Sequence, residues 1–529
     1  MFIEDLRTDF YDVLLGNRVL LLVHYDVDAI CTCKILQELF KCDNISYTLV
    51  PVGGIVDLKT AYEENNEEIK YVVLVNCGGT IDLVEVLQPE EDVVFFVLDS
   101  HKPTDICNVY SDGQVRLVYK DSEENIPNFD DIFRDDEDED EQPAESGMEA
   151  LEAVVEKRRE RREWEERRHT LMFNYTQFSY FGKPSACVAL EVSRRVSRGA
   201  RGAAWACGVA LAAHAALHAR TPARCVLDAD DLHRRISSQP ETDHASCRVV
   251  LEKDVWLPLY RSWSLEAALR HAPLIGPALK LHTLAGEGRL RQLLANMGYP
   301  LSQARQAYRA MDVELRRGVR AALERACPGA ARAAFLLRRP LAADLPALDM
   351  VYAIMALIEH ESLPKATGFQ HALSALDVTE ISPAVTLGVT SAQMALQACL
   401  KVVNAILSAR KLMRAGPFSY FIVPEGTAEA RWLRGPLWLS LAARWAAAAQ
   451  LRAPQPLVAS AALDDHTCIL LGLPPRFDQE PRNLFGAAFE QAAAQCGAAI
   501  SLDRMESAVI TLPTAQRPQF LDALTSLLA

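Results

Sequence analysis

Five side chains suited to holding a divalent cation stand at the ends of three short apolar runs. Asp26 and Asp28 close the run in RVLLLVHYDVDAI (residues 18–30), Asn76 follows residues 71–75, and Asp99 and His101 follow residues 93–98. Hard oxygen ligands with an imidazole are the equipment of a metal-dependent phosphoesterase, whose cation polarises a phosphoryl oxygen and activates a water. Two divalent ions require several carboxylates. Here the middle position is the neutral amide of Asn76, and a hydroxyl, Ser100, stands between Asp99 and His101. The set is short of ligands, so neither a tightly held metal nor another cofactor is expected, and no turnover.

Only a parallel sheet brings these three chain positions to one edge. Residues 19–23 form an unbroken run of Val and Leu, the pattern of a strand covered on both faces, and residues 28–40 then take a helical pattern. Strand 47–52, helix 57–67, strand 71–75, helix 81–87, strand 93–98 and strand 115–119 continue the alternation, after an opening helix at 4–14. Such alternation predicts right-handed crossovers and ligand-facing loops at the carboxyl edge of the sheet.

Charge is divided unevenly along the 529 residues. Residues 1–120 carry 21 acids and 9 bases, residues 121–149 carry 14 and 1, and residues 150–529 carry 35 and 45. An acidic front of this kind does not wrap duplex DNA, because phosphate contacts need Lys and Arg. Seven consecutive acids at 135–141 repel one another and bury nothing, which predicts a disordered loop over 129–150 that serves as a solvated linker or as an electrostatic fence. Thirteen cysteines occur without a C-x-x-C pair or zinc spacing, the usage of reduced thiols, and Cys31 and Cys33 read as packing residues. The opening MFIEDLRTDF lacks the basic-then-apolar order of a signal peptide, and the apolar stretch 205–219 is too short for a span, so a soluble, non-secreted chain is expected.

Beyond the acids, residues 149–170 mix both charge signs at helical spacing and predict a long exposed helix. Residues 171–385 read as almost entirely helical, including helices at 284–297 and 301–315, with Trp256, Tyr260 and Trp263 on one packed helix face. Residues 386–529 return to α/β: helix 392–414, strand 418–423, helix 438–449, strands 457–460 and 467–471, helix 484–496, strand 508–512 and helix 520–528. The expected domains are 1–128 (parallel-sheet α/β), 129–150 (acidic loop), 151–385 (charged helix and helical domain) and 386–529 (C-terminal α/β).

There is no G-x-x-x-x-G-K-[ST] loop, since the lone Gly182-Lys183 pair runs into Pro184, and no G-x-S-x-G elbow. The Asp26-x-Asp28 pair, Asn76-Cys77-Gly78 and Asp99-Ser100-His101 resemble degenerate motifs of DHH-family phosphoesterases such as the RecJ nuclease, in which the second strand end carries Asp and the third reads Asp-His-His. Longer phrases, among them DVDAICTCKIL, NCGGTIDL, RRERREWEERR, LYRSWSLEAAL, LANMGYPLSQARQAYRAMD and GPFSYFIVPEGT, resemble the cell division control protein 45 family, the catalytically silent RecJ relatives of eukaryotic replication forks. The resemblance implies a DHH-like N-terminal domain, an inserted helical domain and a DHH-associated C-terminal domain. It also implies a nuclear scaffold, without enzymatic activity or membrane attachment, that joins the minichromosome maintenance ring and the GINS complex and meets single-stranded DNA and replicative polymerases. Asp26, Asp28, Asp99 and His101 are then remnants that cap loops and helix N-termini, and Asn76 belongs to the same remnant site. The competing expectation is a working metal-dependent 5′ exonuclease on single strands.

Overall fold

The structure, a computed structural model, describes residues 1–134, 148–198, 201–238, 247–340, 343–378, 382–450, 455–475, 482–502 and 505–529, with the side chains of 148–155, 201 and 450 excepted. Five parallel strands form the N-terminal sheet in the order Ser46–Val52, Arg18–His24, Tyr71–Val75, Val94–Leu98, Val115–Leu117. Val23 lies opposite Val75 and Val75 opposite Leu98, so three strands end level. That register carries the residues after them to one edge. Successive residues of each strand enter different cores, as the pleat requires. Val19, Leu21, Val73 and Phe96 pack with the helices of one face, and Leu20, Leu22, Val72 and Phe95 pack on the other.

The helix Val27–Cys42 covers the first of these faces and buries Ile30, Cys31, Cys33, Ile35, Leu36, Leu39 and Phe40. Its outer side is covered in turn by Ser185–Arg195 and Arg201–Ala216, helices that the chain reaches only after the acidic segment. One continuous core then runs through the middle helices to one face of the C-terminal sheet, which includes Leu457, Ile469 and Leu471. That sheet has the order Met413–Ala415, Phe418–Ile422, Leu457–Ala462, Thr467–Leu473, Val509–Pro513, and is antiparallel apart from its second and third strands. Phe485, Phe489 and Phe520 of the last two helices cover its other face. The architecture is α/β, with a parallel N-terminal sheet, a largely helical middle and a C-terminal sheet.

Several elements differ from the expected pattern. The middle region contains a three-stranded antiparallel sheet, Leu345–Pro346, Ala331–Arg338 and Arg248–Val255, in a stretch expected to be almost entirely helical. ARAAFLLR has the composition of a helix, and cross-strand burial of Phe335, Leu336 and Leu337 overrides that preference. The expected helix 301–315 is broken into Leu301–Arg305, a 3₁₀ turn Tyr308–Ala310 and a new helix from Val313, because the Asp312 carboxylate accepts from the N–H groups of Glu314 and Leu315. The helix expected at 392–414 starts earlier and stops sooner, at Pro383–Ser408, with Ser382 as its cap and proline in its first turn. The helix therefore runs across residue 385. Inside 129–150, Phe129–Ile132 is a helical turn and the long helix Met148–Thr176 has already begun, while residues 135–147, with the run of acids, lie outside the described residues. No described helix is long and apolar enough to cross a membrane.

Two short pairings bring distant segments to the sheet edge. His101–Lys102 pairs with Tyr180–Phe181, and Ser179 and Asn483 exchange backbone hydrogen bonds of 2.8 and 2.7 Å. Trp205, fully buried in the Arg201–Ala216 helix, belongs to the core shared with Val27–Cys42. Trp205→Ala is expected to cost about 3–5 kcal/mol through the cavity it leaves. A urea midpoint within error of the unmodified chain would show that this joint contributes little.

Candidate functional site

Asp26 is the N-cap of Val27–Cys42, its Oδ1 accepting from the Ala29 N–H at 2.8 Å. Asp28 stands in the first turn of the same helix, buried. Asn76 follows the third strand in order of sequence with a φ of 50°, a left-handed conformation that Asn adopts more readily than most residues. Its backbone N–H donates to Leu98 O at 2.8 Å and holds it against the neighbouring strand end. Asp99 and His101 leave that strand, so all five expected residues meet at one edge.

The amide of Asn76 organises the cluster. Its Oδ1 accepts from the Ser100 backbone N–H at 3.1 Å and from the Ser185 hydroxyl at 2.6 Å. A backbone N–H can only donate, which fixes the amide's orientation. Nδ2 therefore points at the two carboxylates, 3.2 Å from both oxygens of Asp26 and 3.1 Å from Asp28 Oδ2. Asp28 also accepts from the backbone N–H groups of Ser185, at 2.8 Å, and Ala186, at 3.1 Å. These open the Ser185–Arg195 helix, so the carboxylate caps a helix more than 150 residues away and meets the positive end of its dipole. His214 Nε2 lies 3.8 Å from Asp28 Oδ2.

Asp99 forms the second half of the site. Its Oδ1 accepts from the backbone N–H of His101 at 2.9 Å and pairs with His101 Nδ1 at 2.8 Å, and its Oδ2 accepts from the Gly79 N–H at 2.9 Å. A Cβ at Gly79 would come within 2.7 Å of the Asp99 carboxylate, so this close approach requires glycine. The His101 ring lies 6.2 Å from that of His24 and 5.1 Å from that of Phe181.

Protonation follows from these contacts. Burial, joined by the charge of Asp28, pushes Asp26 up to about 7. Burial acts on Asp28 in the same sense, but His214 and the hydrogen bonds from Ala186 and Asn76 outweigh it and hold this carboxylate below its ordinary value. Burial opposes the cationic form of His101, yet Asp99, Asp26 and Glu506 raise it to about 9. Asp99 stays low, its burial offset mainly by His101.

This donor set does not fit a hard divalent cation. Both oxygens of Asp28 are engaged by N–H groups, and the Asn76 amide directs donor hydrogens into the space between the carboxylates where a bridging ion needs acceptors. Among the described residues, Asp82, Asp105 and Cys107 are close enough to share an ion, but Asp82 and Asp105 are occupied in capping their own short helices. The parts of the site missed in the sequence are Ser185, Ala186 and His214. Pro184-Ser185 is a legible helix start, although nothing local ties it to Asp28.

The three aromatic residues expected on a single helix face lie elsewhere. Trp256 follows a strand with Arg332 over its ring at 5.8 Å, Tyr260 lies in a 3₁₀ turn 5.0 Å from the Tyr308 ring, and Trp263 stacks on His271 at 4.7 Å.

Comparison with known proteins places this geometry in context. The CDC45 family model matches residues 19–154, 128–368 and 361–527. The proteins described as cell division control protein 45 homolog in Mus musculus and Homo sapiens are each 35% identical over 567 residues, with 100% of both chains covered. The crystal structure of CDC45 from Entamoeba histolytica covers 100% of both chains with a TM-score of 0.74 at 18% identity, which shows a common fold.

Two outcomes are expected of the cluster. Asn76→Asp exchanges a donor for a third carboxylate and should destabilise the chain by about 3–5 kcal/mol. Manganese should then raise the unfolding temperature of that variant and leave the unmodified chain unchanged; a manganese response in the unmodified chain would contradict the poor fit. The pH dependence also has a definite sign. His101 contributes stability that is fully present below its ordinary value of 6.5 and is lost as pH rises through about 9, and Asp26 acts in the same sense up to about 7. Stability should therefore fall between pH 6.5 and 9.5, by about 3 kcal/mol for His101, with that step absent in His101→Gln. Equal urea midpoints for the two chains at both pH values would refute the assignment.

Proposed function

The chain belongs to the CDC45 family, and from that premise we propose that it is a non-enzymatic scaffold subunit of the eukaryotic replicative helicase. In this reading it joins the minichromosome maintenance ring to the GINS complex in the nucleus, for origin firing and fork elongation, and meets single-stranded DNA and replicative polymerases there. ATP hydrolysis belongs to the ring, in keeping with the missing phosphate-binding loop. One observation carries the absence of turnover. The Asn76 amide bridges Asp26 and Asp28 with donor hydrogens, so a degenerate DHH-type site is closed by its own hydrogen bonds.

The competing reading, an active 5′ exonuclease, requires cations at the place those hydrogens occupy. Asp26, Asp28, Asn76, Asp99 and His101 act instead as the joint between the parallel sheet and the helix that starts at Ser185. Nothing in this role needs a proton to move. A scaffold requires that the joint be rigid, and burial of Asp28 and Asn76 serves that.

The test is manganese-dependent cleavage of end-labelled single-stranded DNA by the purified chain, beside a chain carrying Asp26→Ala and Asp28→Ala. No cleavage by either is expected, together with retention of the unmodified chain by immobilised ring and GINS. Cleavage that disappears in the double variant would overturn the scaffold reading. Failure to bind the ring and GINS would refute the partnership even if no cleavage were seen.

A further inference from the structure

Two thiols sit beside the Asp28 joint without taking part in it. Cys187 is the third residue of the Ser185–Arg195 helix, and Cys207 lies midway along Arg201–Ala216. Their sulfurs are 3.3 Å apart, one thiol donating to the other, and no other pair of cysteines is in such contact among the described residues. Both helices pack on Val27–Cys42, and each brings a partner to Asp28. The first supplies the N–H groups of Ser185 and Ala186, and the second supplies His214.

A disulfide bond is about 2.0 Å long, so the two sulfurs need to close by only about 1.3 Å. The packed helices already hold them against each other, and bond formation between them is a unimolecular step. Cys187 keeps 8% of its surface exposed and Cys207 1%. A reagent as small as hydrogen peroxide therefore meets Cys187 first, whereas a bulky disulfide such as that of glutathione is shut out. The next thiol, Cys31, is fully buried beside Asp28 and Asp26, and burial followed by those charges raises it, so it does not compete as a nucleophile.

We propose that Cys187 and Cys207 are an oxidation site, at which a hydroperoxide is reduced and the two helices become joined by a disulfide. The Cys187 thiolate attacks one peroxide oxygen, the O–O bond breaks, and the departing hydroxide takes up the Cys187 proton as water; Cys187 is then a sulfenic acid. The Cys207 sulfur attacks the Cys187 sulfur, the S–O bond breaks, and hydroxide leaves with the Cys207 proton as a second water. Two thiols and one hydrogen peroxide give one disulfide and two waters, and the two electrons lost by the sulfurs are those gained by the peroxide. Contact with Cys207, joined by burial, raises the Cys187 thiol, so its thiolate is scarce at neutral pH and the pair answers to sustained oxidation only. Where thiols are kept reduced the pair stays open. Once formed, the bond ties the helix that receives Asp28 to the helix that carries His214. This inference does not depend on the scaffold reading.

The experiment is treatment of the full chain with hydrogen peroxide, then alkylation of the remaining thiols, digestion and mass spectrometry without reductant. Low protein concentration keeps the exposed Cys42 and Cys107 from linking separate molecules. A peptide pair joined through Cys187 and Cys207 is expected, lost on addition of dithiothreitol, with a rate of formation that rises with pH. Cys207→Ser should leave Cys187 as a sulfenic acid that dimedone traps. Amides of residues 188–195 should exchange several-fold more slowly in the linked chain, and dithiothreitol should restore them. Absence of the linked pair, its appearance only in urea, or linkage of Cys187 to Cys31 overturns the proposal. Linkage that forms faster with glutathione disulfide than with peroxide refutes the oxidant. Unchanged exchange at 188–195 in the linked chain also overturns it, because the bond would then fasten nothing.

Discussion

A buried carboxylate with no room for a cation must find its positive partners in the protein. Asp28 is only 3% exposed and finds them in three places: the N–H groups of Ser185 and Ala186, the Asn76 amide, and His214. Each comes from a different segment of the chain. Desolvating an unpaired carboxylate would cost several kcal/mol, and so the charge dictates where those segments sit. The helix Val27–Cys42 supplies the carboxylate from its own first turn, and Ser185–Arg195 receives it at its N-terminus. The crossing of these two helices is therefore set by one acid, and the core that fills in around Trp205 depends on that crossing.

Asn76 explains how such a cluster is stable without a metal. An aspartate at this strand end would put three carboxylates within hydrogen-bonding reach, which a multivalent cation or the uptake of protons would have to hold together. An amide of nearly the same shape supplies donors toward Asp26 and Asp28 and an acceptor toward Ser100 and Ser185. One oxygen-to-nitrogen exchange makes the site self-sufficient. The second pair, Asp99 with His101, is likewise closed, because Oδ1 accepts from the His101 backbone N–H and pairs with its ring while Oδ2 accepts from the Gly79 N–H.

The strand ends were legible because the information is local. An apolar run, two acids and a helical pattern within thirteen residues predict the strand, cap and helix that are found, and helix 284–297 was bounded by its own Thr283 cap and Gly298. Asp312 is a cap of the same local kind, and it divides the stretch 301–315 between two helices. The Arg248–Val255 and Ala331–Arg338 strands were not legible, since their pairing spans some eighty residues and their Ala and Arg content argues for helix. For the same reason the contacts of Asp28 with Ser185 and Ala186 were out of reach. Burial and long-range pairing decide such positions, and neither is written in a window of ten residues.

The form of the site has a physical consequence of its own. Replacing the cluster by apolar residues of equal volume would remove the desolvation cost and need not weaken the fold. It would, however, discard direction. Hydrogen bonds at 2.6–3.2 Å fix the rotation of one helix relative to another, whereas an apolar contact tolerates sliding. The Ser185–Arg195 helix begins just after the Tyr180–Phe181 pairing with His101–Lys102, and Ser179 next to it bonds to Asn483 of the C-terminal unit. An angular error at Asp28 would therefore be passed directly to the approach of that unit. A polar contact of this kind fixes an angle between two units of the fold, and an apolar contact of the same area would not.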